Sequence, residues 1–296
     1  MCRIRKWGPA ALLVAPSLLA IGVFVYGFLG WNLRVSVSDW RGLRATYDYA
    51  GLDNYRRLAE DTRFIDGVQN VVVFTLVFVF GTLVFGFLLA LLLERGVRGE
   101  AFFRTVFLFP MAISFIATAI IWRWLLSNAS GAQETGLNRL FDSLGVGFLA
   151  NDWFKSDSYW AVASVAIAAG WALVGYIMAL FLAGLRGVSD DLREAARVDG
   201  ASEAKAFWHV VRPMLLPVVM SAIVILAHIS LKTFDLIYAM DAKSRKIETP
   251  ALYMWFITFE GLNFSIGAAI ATLLMVGIAA VIVPYIWYSV RSERRP

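Results

Sequence analysis

Six apolar blocks, each 21–27 residues long, recur along this chain. At about 1.5 Å of helical rise per residue, each block can reach across a hydrocarbon layer of about 30 Å. The blocks fall near 9–31, 71–93, 106–126, 159–185, 214–240 and 266–290. A core helix of a soluble protein seldom stays apolar on every face for that long. A backbone in lipid must satisfy its own hydrogen bonds, which leaves helices or a closed barrel. Barrel strands would alternate over about ten residues, and these blocks are continuous. The expected fold is therefore all-α, a polytopic membrane protein with about six transmembrane helices. Composition agrees: apolar residues make up 59% of the chain and charged residues 17%, against roughly 45–50% and 25% in soluble proteins.

Residues 9–290 then form the transmembrane region, with short segments 1–8 and 291–296 at its ends. The first block follows Arg3, Arg5 and Lys6, as a signal peptide would. It is longer than a signal-peptide core and lacks a clear small-residue cleavage site, so it is expected to be a retained span. Six spans put both termini on one side. If that side is the cytoplasm, inside segments carry 14 Lys and Arg and outside loops 11 over nearly twice the length. That density favours cytoplasmic termini. Trp31, Trp40, Trp122, Trp124, Trp153 and Trp160 gather near the expected outer ends, where amphipathic rings prefer to sit.

Several function classes are disfavoured. Cys2 is the single cysteine, so no intrachain disulfide or cysteine metal cluster can form, and it has no lipobox around it. His209 and His228 are too few for a histidine-rich metal site, so no metal is expected. The net charge of +5 is spread over short loops, which suits membrane topology better than nucleic acid. The outer loops at 32–70, 127–158 and 241–265 are too short for a separate catalytic domain. No G-x-x-x-x-G-K-[ST] loop is present to cradle nucleotide phosphates.

The informative loop lies between the fourth and fifth blocks, at 186–213. Ser189 is suited to cap a helix whose first turn carries Asp190 and Asp191. Ala195 and Ala196 favour helix and leave a surface another protein can approach. Gly200 offers a stop, and Ser202 a cap for a second short helix running to Pro213. On physical grounds alone, an ordinary surface helix pair explains this loop as well as a docking site does.

Glu194-Ala195-Ala196, then Asp199-Gly200-Ala201, then Phe207, Pro213 and Pro217, resemble the EAA motif of permease subunits in binding-protein-dependent ABC importers. The run from Leu192 to Ala201 is specifically similar to carbohydrate permeases of the maltose-transporter type. Gly51-Leu52-Asp53-Asn54-Tyr55, Asp61, Phe64 and Asn70 also match the family's pattern. So do Trp171 and Gly175, Ala183 to Leu185, Lys232 to Tyr238, and Gly267 to Thr272. One departure is Asp241-Ala242-Lys243-Ser244-Arg245, where the family usually has a glycine-rich turn.

The resemblance implies the type I ABC importer permease fold. It also implies a partnership with a second, non-identical permease, two ATPase subunits that bind ATP and Mg, and an extracytoplasmic solute-binding protein. The chain itself would be a non-enzymatic subunit of a bacterial or archaeal cytoplasmic membrane. Its EAA loop would dock into the ATPase through Glu194, Ala195, Ala196, Asp199, Gly200 and Ala201, with Glu194 as the charge partner. The substrate would be a sugar, a monosaccharide or small oligosaccharide. By alignment with the maltose-type permease, Tyr176, Ile229, Ser230 and Thr233 fall at or near sugar-contacting positions.

Tyr176 and Trp171 can stack on a sugar, although helix packing is the commoner fate of such rings. Lys232 and Asp235, three apart on one expected helix, read first as an ion pair inside the bundle. Direct sugar contact and interfacial snorkelling are the alternatives for these two. His228 is expected to be packed or bonded to a neighbouring helix, and Arg123 to reach outer headgroups. An ion-coupled secondary transporter is the closest rival class, but it usually lines its path with ionisable groups, and Asp235 stands nearly alone. A membrane-embedded enzyme or an assembly scaffold would be weaker fits.

Overall fold

The computed structural model describes residues 8–129 and 134–293. In chain order its α-helices are α1 (Gly8–Ile21), α2 (Phe28–Ser36), α3 (Asp53–Glu60), α4 (Thr62–Glu94), α5 (Glu100–Leu108), α6 (Phe115–Leu125) and α7 (Gly136–Ser143). There follow α8 (Trp160–Arg186), α9 (Asp190–Val198), α10 (Glu203–Ala206), α11 (Arg212–Leu231), α12 (Asp235–Asp241), α13 (Pro250–Trp255) and α14 (Phe264–Glu293). π-helical turns at Gly22–Gly27 and Phe207–Val211 join α1 to α2 and α10 to α11 without interrupting the rod. Among the described residues, five helices are long and apolar enough to cross a membrane, and α5 with α6 forms a bent pair that makes a sixth.

The chain divides into two compact units. One comprises residues 1–61 and 253–275. Within it Trp40 stacks on Phe264 with ring centroids 4.8 Å apart. The backbone pairs alongside, with the Gly42 amide donating to the Leu262 carbonyl at 2.7 Å and the Ser265 amide to that of Trp40 at 3.2 Å. Asn32 in α2 donates to the Ala268 carbonyl and to Thr272 of α14. Asn54, fully buried, donates to the carbonyls of Ser36 and Ser38, and the Tyr55 hydroxyl meets Ser36 at 2.7 Å. The Gly51-to-Tyr55 segment thus fastens the end of the first span by local hydrogen bonds.

The second unit comprises 62–252 and 276–296. Its core is α4 packed along α8. The buried face of α8 is rich in small residues, including Ala161, Ala166, Ala168, Ala169 and Ala172, which lets a neighbouring backbone come close. Within α4, Phe74 and Phe78 are fully buried, with stacked rings 5.6 Å apart.

The structure corrects three expectations of the sequence. The block at 106–126 is no straight span: the chain turns by 99° between Ala112 and Phe115. Pro110 lacks the amide that would continue α5, and Ser114, in extended conformation, caps α6 by accepting from the Ala117 amide. The block at 214–240 is no single helix either, because α11 ends at Leu231 and α12 begins at Asp235. An acidic residue in the first turn suits that new start. The second helix of the 186–213 loop does not stop at Pro213. Pro213 falls in the first turn of α11, where a missing amide is tolerated, and the rod runs from Glu203 to Leu231.

Ion pairs and hydrogen bonds sort the links of this unit onto two faces. Glu94 pairs with Arg193 and Glu100 with Arg186, which sets residues 95–99 beside 187–202. Lys246 reaches Asp157, Asn128 reaches Asp152, and Tyr159 reaches Gln69, which sets the other ends together. The bent pair therefore passes from one face to the other, as a span must.

Candidate functional site

The site begins with the cap at Ser189. Its hydroxyl accepts from the Asp191 amide at 3.2 Å, and Asp190 and Asp191 lie in the first turn of α9, where carboxylates offset the positive helix end. The other end closes by backbone geometry. The Ala201 amide donates to the Ala196 carbonyl at 2.9 Å and the Gly200 amide to that of Arg197 at 3.0 Å. This Schellman arrangement needs a residue of positive φ after the cap, and Gly200 supplies it at φ +79°. A Cβ on Gly200 would meet nothing within 4 Å, so the glycine answers a backbone need and leaves open space around the bend.

Ser202 then caps α10 by accepting from the Lys205 amide, and Arg197 bonds Glu203 at 2.8 Å, bracing α9 against α10. That hydrogen bond holds the Arg197 guanidinium above its ordinary pKa. Glu194, Ala195, Asp199 and Gly200 are exposed, while Ala196 and Ala201 are half-buried. Glu194 makes no ion pair among the described residues. The surface offered is a carboxylate beside small side chains, next to Val198, which is 88% exposed.

The residues singled out for substrate lie on α8 and around the break between α11 and α12. Tyr176 and Trp171 are half-buried on α8, and Trp171 packs edge-on against Trp122 at 6.0 Å. Ser230 is fully buried, donating to the Ala227 carbonyl and sharing a 2.9 Å hydrogen bond with Thr75 of α4. Thr233 turns back to the Ile229 carbonyl, and Ile229 is half-buried. The Lys232–Asp235 pair expected on one helix does not form. The break between α11 and α12 separates the two, both are exposed, and no ion pair joins them among the described residues. Arg123 is exposed and donates to the Ala239 carbonyl at 3.5 Å, and the Nδ1 of His228 is buried without a hydrogen-bond partner.

Sequence reasoning missed the long-range ion pairs. Arg63 at the start of α4 grips Glu248 with two bonds of 2.6 and 2.7 Å, and the Glu248 side chain is 4% exposed. Asn70 donates to the Glu248 carbonyl at 2.9 Å. Together they pin the segment in which the family's glycine-rich turn is replaced. Asn70 was visible as a motif residue, but nothing in its neighbourhood along the chain points to Glu248.

Residues 82–294 match the model of the binding-protein-dependent transport system inner membrane component family. The chain belongs to this family. Over 286 residues it is 39% identical to a probable ABC transporter permease protein of Pyrococcus horikoshii, covering 96% of each chain. It is 36% identical to the xylose/arabinose import permease protein XacH of Haloferax volcanii, over 92% of this chain and 85% of that one. Its fold matches a crystal structure of a bacterial ABC transporter involved in the import of the acidic polysaccharide alginate, with a TM-score of 0.78 and 19% identity, over 97% of this chain and 96% of that one. The chain is thus an ABC importer permease with the all-α architecture expected of that family. Membership does not favour the ion-coupled secondary transporter.

Proposed function

We propose that this chain forms half of a translocation pathway for a sugar, a monosaccharide or small oligosaccharide, beside a second, non-identical permease. Two ATPase subunits carrying ATP and Mg drive it, and an extracytoplasmic solute-binding protein delivers the substrate. Both termini and the 186–213 loop face the cytoplasm. The chain performs no hydrolysis; it receives motion from the ATPase at Glu194, Ala195, Ala196, Asp199, Gly200 and Ala201.

The observation that carries this reading is the bend at Gly200, with Glu194 exposed beside it on α9. The sugar assignment is supported by the xylose/arabinose relative and by the run from Leu192 to Ala201. Tyr176, with a ring to stack and a hydroxyl to bond, is the preferred contact, followed by Trp171, Ile229 and Thr233. Lys232 and Asp235 serve as exposed polar groups at the helix break, and Ser230 acts behind them.

The test is purification of the chain with whatever travels with it, reconstitution in liposomes with its solute-binding protein, and a screen of sugars for stimulation of ATP hydrolysis. Stimulation by one sugar class is expected. Recovery without any ATPase, or stimulation confined to non-carbohydrate solutes, would contradict the reading.

A further inference from the structure

The helix α9 is held at two points, and only one follows from its motif. Arg197 braces it to α10 through Glu203. Arg193 ties it to α4: its Nη2 lies 2.6 Å from Oε1 of Glu94, in the last turn of that helix. The same nitrogen donates to the Leu185 carbonyl, near the end of α8, at 3.3 Å. Both side chains are about three-quarters buried, at 27% and 21% exposure, and they line a cleft with Leu91, Phe207 and Val211.

Arg193 is drawn inward although its Nε is left buried without a partner. An arginine on an exposed loop helix has no need of that arrangement, since water would satisfy every donor. What the side chain gains by it is the junction of α9 with α4 and α8. Among the described residues, no other hydrogen bond joins α9 to α4.

We propose that the Arg193–Glu94 pair is a strut that makes α4 follow the coupling helix. Motion received at α9 then has two routes into the spans besides its direct link to α8. The first is the continuous rod from Glu203 to Leu231, which follows through covalent connection and the Arg197–Glu203 brace. The second is the strut, which carries motion into α4, a helix that is remote from α9 along the chain. The inference rests on the coupling role proposed above and adds Arg193 and Glu94 as positioning residues.

The test uses the whole complex in liposomes, with Cys2→Ser as background. Glu94→Gln or Arg193→Gln is expected to lower uptake per ATP hydrolysed about twofold to fivefold, the range open to a partly exposed pair, while the ATPase still copurifies. The charge exchange Glu94→Arg with Arg193→Glu restores the ratio. Where that exchange fails to fold, Glu94→Cys with Arg193→Cys, joined by a short reducible bis-methanethiosulfonate bridge, restores it and reductant lowers it again. An unchanged ratio in the single variants overturns the strut. Loss of uptake on bridging overturns it too, since the pair would then have to open during the cycle. If the parental chain recovers no ATPase, the coupling role itself fails, and the strut with it.

Discussion

Gly175 of α8 sits against the carbonyl of Phe107, so close that any Cβ placed there would overlap the oxygen. This contact lets the end of α5 lie directly on α8 just before the bend of the third span. Gly175→Ala is therefore expected to cost about 1–3 kcal/mol, as overpacking of a tight contact does. Thermal unfolding of the purified protein checks it, with Gly277→Ala as the control because a Cβ there meets nothing within 4 Å.

Asn54→Ala removes the donor serving two buried carbonyls, those of Ser36 and Ser38. The expected loss is about 1–3 kcal/mol. Tyr55→Phe, which removes one partner of the Ser36 hydroxyl, is expected to cost less. Protease sensitivity between residues 36 and 54 reports the difference, and equal resistance in all three proteins would count against the fastening role.

Arg63→Ala leaves the Glu248 carboxylate enclosed without its cation, a change of about 3–5 kcal/mol for a buried pair. Glu248→Gln is expected to be milder, because it removes the charge that needs compensation. Cleavage of the 241–249 segment by added protease is expected to rank Arg63→Ala above Glu248→Gln above the parent.

At Gly200 the backbone angle and the open surroundings can be separated. Asn tolerates positive φ, so Gly200→Asn is expected to keep most uptake. Gly200→Val meets a backbone penalty of at least about 1–2 kcal/mol and is expected to uncouple ATP hydrolysis from uptake, as is Glu194→Lys. Membrane insertion is expected to be unchanged in all of them. Normal uptake by Gly200→Trp would argue strongly against docking at the bend.

Tyr176→Ala is expected to raise the KM for uptake while assembly stays intact. Ser230→Ala is expected to lower thermal stability by about 1 kcal/mol through the lost bond to Thr75. Uptake kinetics and a melting curve on the same preparations decide both.

What could be read along the chain was local. Ser189, Gly200 and Ser202 announce the caps and the bend because each acts on backbone within a few residues of itself. The spans were visible as apolar blocks, but hydropathy is blind to direction, so the turn at Ser114 vanished inside one of them. Pro110 and Ser114 were its signals, and both stand within an otherwise unbroken apolar run. The break after Leu231 was hidden similarly, and with it went the presumed pairing of Lys232 with Asp235.

Partners far apart along the chain were out of reach. Arg193 and Glu94 are separated by 99 residues, and Arg63 and Glu248 by 185. No periodicity or cap preference relates such positions; only the packing of α4 against its neighbours does. Tyr55 and Gly175 lie between these cases. Each stood out as part of a recognisable pattern, yet its purpose became clear only with the Ser36 hydroxyl or the Phe107 carbonyl beside it.

The uninterrupted rod from Glu203 to Leu231 has a mechanical consequence. Its 29 residues extend roughly 43 Å at helical rise. Pivoted near one end, a tilt of about 5° would sweep the far end through roughly 4 Å, comparable with the width of a hydroxyl-bearing carbon of a sugar. Under the coupling role proposed above, a displacement at Ser202 would be carried along this rod to the break where Lys232 and Thr233 stand.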